Sequence, residues 1–200
     1  MLVHEAYRLE DEGDLEAALD RMRKALRAAD DPGVVTTLDE HLHLPHLLQR
    51  MGRLDEARRA FGSLLEAGYA DQLDIPSVQW IERGLIYNAM RRAYARKGLA
   101  AEAACYEGLS YLTDAYGRFL DTERQDASRT VHQLDRATAE AIAWDMVASV
   151  ADGPSEAEVT EVLYDAIERF GDEDGDVLLH EVERALGSLF GVEISRAFDD

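Results

Sequence analysis

The sequence predicts an all-α fold, a stack of antiparallel helical hairpins followed by additional C-terminal helices. Three observations carry this expectation. Apolar residues recur at helical spacing along the chain, and no run alternates as a strand would. Prolines number four in 200 residues and aromatic residues make up 8%, which suits a helical protein better than a sandwich or barrel. A glycine-centred pattern returns three times, as GDLEAA from Gly13, GRLDEA from Gly52 and GLAAEA from Gly98.

Each of these glycines reads as the turn of a hairpin. Leu9, Leu48 and Tyr94 stand four residues before it, and Leu2, His41 and Tyr87 eleven before. Leu15, Leu54 and Ala100 follow it by two residues, and Ala18, Ala57 and Ala103 by five. The glycine ends the first helix by entering the left-handed conformation at little steric cost. The alanine lets the second helix pack closely on the first, and the large residues before the glycine fill the interface between hairpins. Such a unit cannot bury its apolar face alone, so neighbours are expected to stack.

These residues resemble the tetratricopeptide repeat (TPR) family over roughly residues 1–120. Met22 and Phe61 follow the alanines by four, as in that family; in the third unit Glu107 takes this place, with Tyr106 one residue early. Arg91 in the third unit and Pro45 in the second stand where the family prefers a small residue. The glycines are 39 and 46 residues apart, against about 34 for the family, so the helices must be longer or the loops extended. The resemblance implies that the first helix of each unit lines a concave groove that binds a partner. Matched glycine by glycine, the groove positions are Tyr7, Glu10 and Asp11, then Asp39, Leu42, His46, Gln49 and Arg50, then Leu85, Asn88, Arg92 and Arg96.

Breakers separate the helical segments: DDPG at 30–33, GYADQLDIPS at 68–77 and ADGPS at 151–155. Residues 121–200 form a second helical region that continues or caps the stack. Val131, Leu134, Ile142, Met146 and Val150 suggest one long helix. Val159, Val162, Leu163, Ala166, Ile167 and Phe170 form the stripe of a second, and Val177, Leu178, Val182, Ala185, Leu186, Leu189 and Phe190 that of a third. Ser155 is the expected cap of the second, with Glu158 placed to complete a capping box.

The formal charge is −20, from 41 acidic against 21 basic residues. A surface of this sign repels phosphate backbones, which argues against nucleic acid as a partner. It favours basic partners or cations, or simply reflects an acidic, arginine-rich bacterial or salt-adapted composition. The single cysteine, Cys105, lies on an apolar helical stretch and reads as a small core hydrophobe. The beginning MLVHEAYRLEDEG lacks the basic-then-apolar order of a signal peptide, and no run reaches the length of a membrane span without charges. The expected location is the cytoplasm.

Four constellations bear on chemistry. On a helix from Leu38, the residues Asp39, His43, His46 and Arg50 fall on one arc, while His41 sits at the edge of the apolar arc. Asp39, His43 and His46 form a face zinc could use, or a solvated polar face. Pro45 threatens that helix; were the helix to begin there, only His46 and Arg50 would survive as groove residues. The stretch GDEDGDVLLHEVE, 171–183, resembles the EF-hand calcium loop, with Asp172, Asp174 and Asp176 alternating and Glu183 at the bidentate place. Its glycine, however, is two residues early at Gly175, with Val177 where the sharp turn belongs. The plainer reading is an acidic turn with Asp176 capping the last helix.

The third constellation is basic: Arg83, Arg91, Arg92, Arg96 and Lys97, with Arg92 and Arg96 sharing a face with Leu85 and Asn88. Such guanidinium groups suit carboxylates of a partner, or pair with the chain's own acids at 101–126. The fourth concerns catalysis. His4-Glu5 and His180-Glu181 lack the second histidine of a zinc-protease helix, and no phosphate loop, nucleophile elbow or activated cysteine is present.

The function expected is therefore a non-enzymatic protein-interaction module, without a cofactor, that binds a protein or peptide in a groove. Its expected contact residues are Tyr7, Asp39, His46, Arg50, Asn88, Arg92 and Arg96. A calcium- or zinc-responsive regulator and a self-associating scaffold are the alternatives. Neither nucleic acid nor membrane is expected as a partner.

Overall fold

The structure, a computed structural model, describes residues 2–28, 36–66, 75–124, 134–171 and 175–194. Among the described residues there are nine α-helices and no strand, so the all-α expectation holds. They are α1 (Leu2–Asp11), α2 (Leu15–Ala28), α3 (Leu38–Arg50), α4 (Leu54–Glu66), α5 (Pro76–Arg96), α6 (Ala100–Arg124), α7 (Arg136–Ala148), α8 (Glu156–Phe170) and α9 (Gly175–Phe190). Two compact units emerge, one holding α1–α4 and the other α5–α9. Adjacent helices pair as α1 with α2, α3 with α4, α5 with α6 and α7 with α8.

The three predicted hairpin turns close in the same way. Gly13, Gly52 and Gly98 have φ of 84°, 77° and 74°. Their amides donate to the carbonyls of Glu10, Gln49 and Ala95, each at 3.0 Å. The next amides, of Asp14, Arg53 and Leu99, reach back to Leu9, Leu48 and Tyr94 at 2.9, 2.9 and 3.1 Å. This is the Schellman pair of bonds, which satisfies the last carbonyls of a helix. The large residue four positions before each glycine is thus the one whose carbonyl accepts the longer-range bond. The alanines five residues after the glycines are buried: Ala18 at 0%, Ala57 at 2% and Ala103 at 5% exposure.

In the first unit, Ala18, Leu19 and Met22 of α2 meet Leu47 and Leu48 of α3 and Ala57 of α4 in one core. Helix α3 starts at Leu38, well ahead of Pro45. Thr37 caps it: the Glu40 amide donates to Thr37 Oγ1 at 3.3 Å, and the Thr37 amide donates to Glu40 Oε2 at 2.9 Å. Pro45 lies inside the helix and is buried. It removes one backbone donor, but the capping box at one end and the glycine turn at the other hold the helix on both sides of it.

In the second unit, α5 and α6 run to 21 and 25 residues, so the wide spacing between Gly52 and Gly98 includes a lengthened helix. They approach closely where an added Cβ on Gly84 would lie 2.9 Å from Thr113 Oγ1, and one on Gly117 2.9 Å from the Ser77 carbonyl. Helix α7 packs on α6 and α8, and α9 returns from α8 to α6. Cys105 of α6 sits against the Leu186 carbonyl of α9 at 3.9 Å. The Tyr87 hydroxyl donates to Glu183 of α9 at 2.7 Å.

The C-terminal helices differ from expectation at their starts. Helix α7 begins at Arg136 rather than near Val131, because Asp135 caps it by accepting from the Thr138 amide at 3.0 Å. Val131 itself lies outside the described residues, as does DDPG at 30–33. Ser77, placed in a loop by the sequence, is buried in α5, which starts at Pro76. The Ser155–Glu158 capping box of α8 is present as predicted. Helix α9 begins at Gly175, so Asp176 lies in its first turn instead of capping it. Val177, expected in the apolar stripe, is 42% exposed.

Candidate partner-binding surface

Helix α5 carries two different faces. Trp80, Ile86, Tyr87, Met90 and Ala93 are buried, and the aromatic ones among them pack against α6: Trp80 on Tyr116 at 4.6 Å between centroids, Tyr87 on Tyr106 at 6.3 Å. The opposite stripe, at spacings of four, three, four and four, is Ile81, Leu85, Asn88, Arg92 and Arg96. Ile81 is 38% and Leu85 50% exposed; Arg92 and Arg96 are exposed and Asn88 half-buried. The Asn88 side-chain oxygen accepts from Arg91 Nε at 3.1 Å, which fixes the amide in place.

The basic run divides according to partners. Arg83 lies over the Trp80 ring at 4.7 Å and pairs with Asp176. Arg91 pairs with Glu107 of α6 at 3.5 Å. These are the two positions at which the third unit departs from the family pattern, and here each supplies the other's partner across the hairpin. Burial pushes the Glu107 carboxyl above its ordinary range and Asp145 adds to this, while Arg91 pulls it back. Among the described residues Arg92 makes no ion pair. Intramolecular pairing therefore accounts for Arg83 and Arg91 and leaves Arg92 at the surface.

In the first unit, Glu10 of α1 gathers two side chains of α3. Arg50 pairs with its Oε1, and His43 Nε2 lies 2.6 Å from its Oε2 without good hydrogen-bond alignment. Tyr7 meets the His43 ring edge-on at 4.4 Å. Burial raises the Tyr7 phenol above its ordinary value, and Glu40, Asp39 and Glu10 add to the shift. Asp39 and Arg50 are exposed, whereas Leu42 and Gln49 are buried, which removes these two from an open groove.

The histidines separate further than the helical wheel suggested. His41 Nε2 and Thr36 Oγ1 share a hydrogen bond of 2.8 Å. His43 faces α1, and His46 sets its ring edge-on to Phe61 of α4 at 6.0 Å. The expected common face of Asp39, His43 and His46 is thus split between two neighbouring helices. Among the described residues no three histidine, cysteine or carboxylate side chains converge to hold a metal ion.

Of the acidic stretch that resembles a calcium loop, Asp172 and Asp174 lie outside the described residues. Asp176 is engaged by Arg83, and Glu183, 5% exposed, points into the core toward Tyr87. The early glycine has a separate explanation. A Cβ on Gly175 would fall 2.3 Å from Trp80 Cζ2 and 2.6 Å from Tyr116 Cε1. Gly175 is where α9 seats on the aromatic pair of the α5–α6 hairpin.

Sequence reasoning found Leu85, Asn88, Arg92 and Arg96 but missed Ile81, one turn before Leu85, whose i, i+4 spacing was the available signal. It also missed Trp144 of α7, which is 63% exposed. No helix among the described residues is long and apolar enough to cross a membrane. Comparison with protein-family models, curated proteins and solved structures finds no match to this chain.

Proposed function

We propose that the chain is a non-enzymatic, TPR-like protein-interaction module, an adaptor, chaperone or regulator that holds a peptide or helix against the first helices of its hairpins. The observation that supports this reading is the threefold recurrence of one turn, at Gly13, Gly52 and Gly98, with the same pair of backbone bonds. Recurring hairpins of this kind build extended surfaces out of repeated first helices. Rigid helices present their side chains already ordered, so a flexible partner bears most of the ordering cost. The proposed contact residues are Tyr7, Asp39, His46 and Arg50 on α1 and α3 and, as a separate surface, Asn88, Arg92 and Arg96 on α5.

The test is affinity capture from native lysate with the parent chain beside Arg92→Ala/Arg96→Ala. Both arginines are exposed, so helicity should be unchanged while capture of a specific protein falls. Equal capture by the two forms would overturn the assignment of these residues. Light scattering at several concentrations separates a partner-binding module from a self-associating scaffold.

A further inference from the structure

From the α5 surface we infer the chemistry of the partner: an amphipathic helix that is apolar at one end and acidic at the other. This rests on the interaction-module reading and narrows it. The exposed stripe of α5 from Ile81 to Arg96 is about 22 Å long at the rise of an α-helix, enough to seat about four turns of a second helix. Its two halves differ in chemistry. Ile81 and Leu85 are one turn apart and 38% and 50% exposed, and Ile75, at the head of the helix, is 43% exposed. These are three of the seven large apolar side chains exposed among the described residues. Arg92 and Arg96 are one turn apart at the other end, with Asn88 between the halves.

Charge complementarity selects the occupant. Acids outnumber bases two to one in this chain, and its arginines commonly meet a carboxylate: Arg50 on Glu10, Arg83 on Asp176, Arg91 on Glu107. Arg92 meets none among the described residues, although it follows directly on Arg91. Arg27 and Arg59 are likewise exposed without a carboxylate, but Arg92 is distinguished by its place beside Arg96 at the end of an exposed apolar stripe, where its planar donor fork suits a carboxylate brought from outside. The neighbouring Ile81 and Leu85 gain only when a partner covers them with apolar side chains. A basic partner would be attracted by the overall charge, yet it would place like charges on Arg92 and Arg96. An extended acidic tail would leave the apolar half uncovered.

The experiment uses the full chain and a synthetic alanine-based helical peptide of about four turns. The peptide carries two leucines one turn apart near one end and two glutamates one turn apart near the other. Binding is read by backbone-amide NMR shifts and fluorescence anisotropy. The expected result is shifts confined to α5, with affinity reduced about tenfold by Arg92→Ala/Arg96→Ala and by a similar factor in Ile81→Ser/Leu85→Ser. Added salt should weaken the first contribution and spare the second. Replacing the peptide glutamates by lysine should abolish binding.

Equal binding of the glutamate and lysine peptides, or shifts centred elsewhere than α5, overturns the inference. So does a concentration-dependent dimer whose contact shifts map to α5, because a second copy then covers the face. Failure of the peptide while lysate capture still depends on Arg92 and Arg96 overturns this partner chemistry and leaves the interaction module standing. Loss of both overturns both.

Discussion

Gly175→Ala tests whether α9 is seated by contact with the aromatic pair beneath it. The new methyl carbon would lie 2.3 Å from Trp80 Cζ2 and 2.6 Å from Tyr116 Cε1, whereas carbon atoms settle about 3.5–4.0 Å apart. One ring must retreat by more than an ångström. Neither has room: Trp80 and Tyr116 are 9% and 7% exposed and pack on each other at 4.6 Å. Overfilling of this kind costs about 1–3 kcal/mol. Gly175 is the first residue of α9, so the roughly 0.5–1 kcal/mol that alanine returns in mid-helix is an upper bound here. From the middle of the first range, even the full mid-helix return leaves a destabilisation of about 1 kcal/mol, or a loss of about 2–4 °C in Tm for a chain of this size. Thermal unfolding followed by circular dichroism measures it. Trp80→Phe, which shortens the ring on the crowded side, should reduce the cost of Gly175→Ala in a double-mutant cycle. A Tm that rises in Gly175→Ala, as helix preference alone demands, would refute the packing argument.

Three other outcomes are expected. Tyr87→Phe removes the donor to the buried Glu183 carboxylate and should cost about 1–3 kcal/mol in denaturant unfolding, whereas a loss within error would mean that the Tyr87–Glu183 bond contributes nothing net. Glu82 has a buried Oε2 without a hydrogen-bond partner, and burial raises its carboxyl above the ordinary value. A folded-state value above the unfolded one means that stability falls as pH rises through the interval between them. Glu82→Gln should therefore melt higher than the parent at neutral pH and converge with it under acid conditions; a constant offset across pH would contradict this. Calcium added to the purified chain should leave Tm unchanged, because Asp176 and Glu183 are engaged by Arg83 and Tyr87, and a calcium-dependent rise would reverse the account of 171–183.

Features set by local rules were legible in the sequence. A left-handed turn requires only glycine and a helix ending before it, so Gly13, Gly52 and Gly98 announced three hairpins. The Ser155–Glu158 capping box lies within four residues and was equally readable. Features that depend on which helix lies opposite were hidden. Arg91 and Glu107 looked like two separate departures until the α5–α6 hairpin brought them to 3.5 Å. His43 and His46 share an arc of α3, yet one turns to Glu10 of α1 and the other to Phe61 of α4, because that arc is wide enough to meet two neighbours. Pro45 argued for a later helix start, a signal outweighed by the Thr37–Glu40 cap upstream. Of the α5 surface, Leu85, Asn88, Arg92 and Arg96 could be placed by periodicity alone, but their exposure depended on which face Trp80 and Tyr87 turned toward α6 and α9.

Cys105 makes the chain its own stopwatch. It is the single cysteine, 0% exposed, with its thiol directed at the Leu186 carbonyl. Burial and Glu102 push that thiol up to about 12, leaving on the order of one thiolate in 10⁵ at neutral pH. A water-soluble thiol reagent therefore waits until α9 lifts from α6. With reagent in such excess that labelling outpaces reclosing, the rate counts the openings that expose the thiol, with no engineered probe in the molecule.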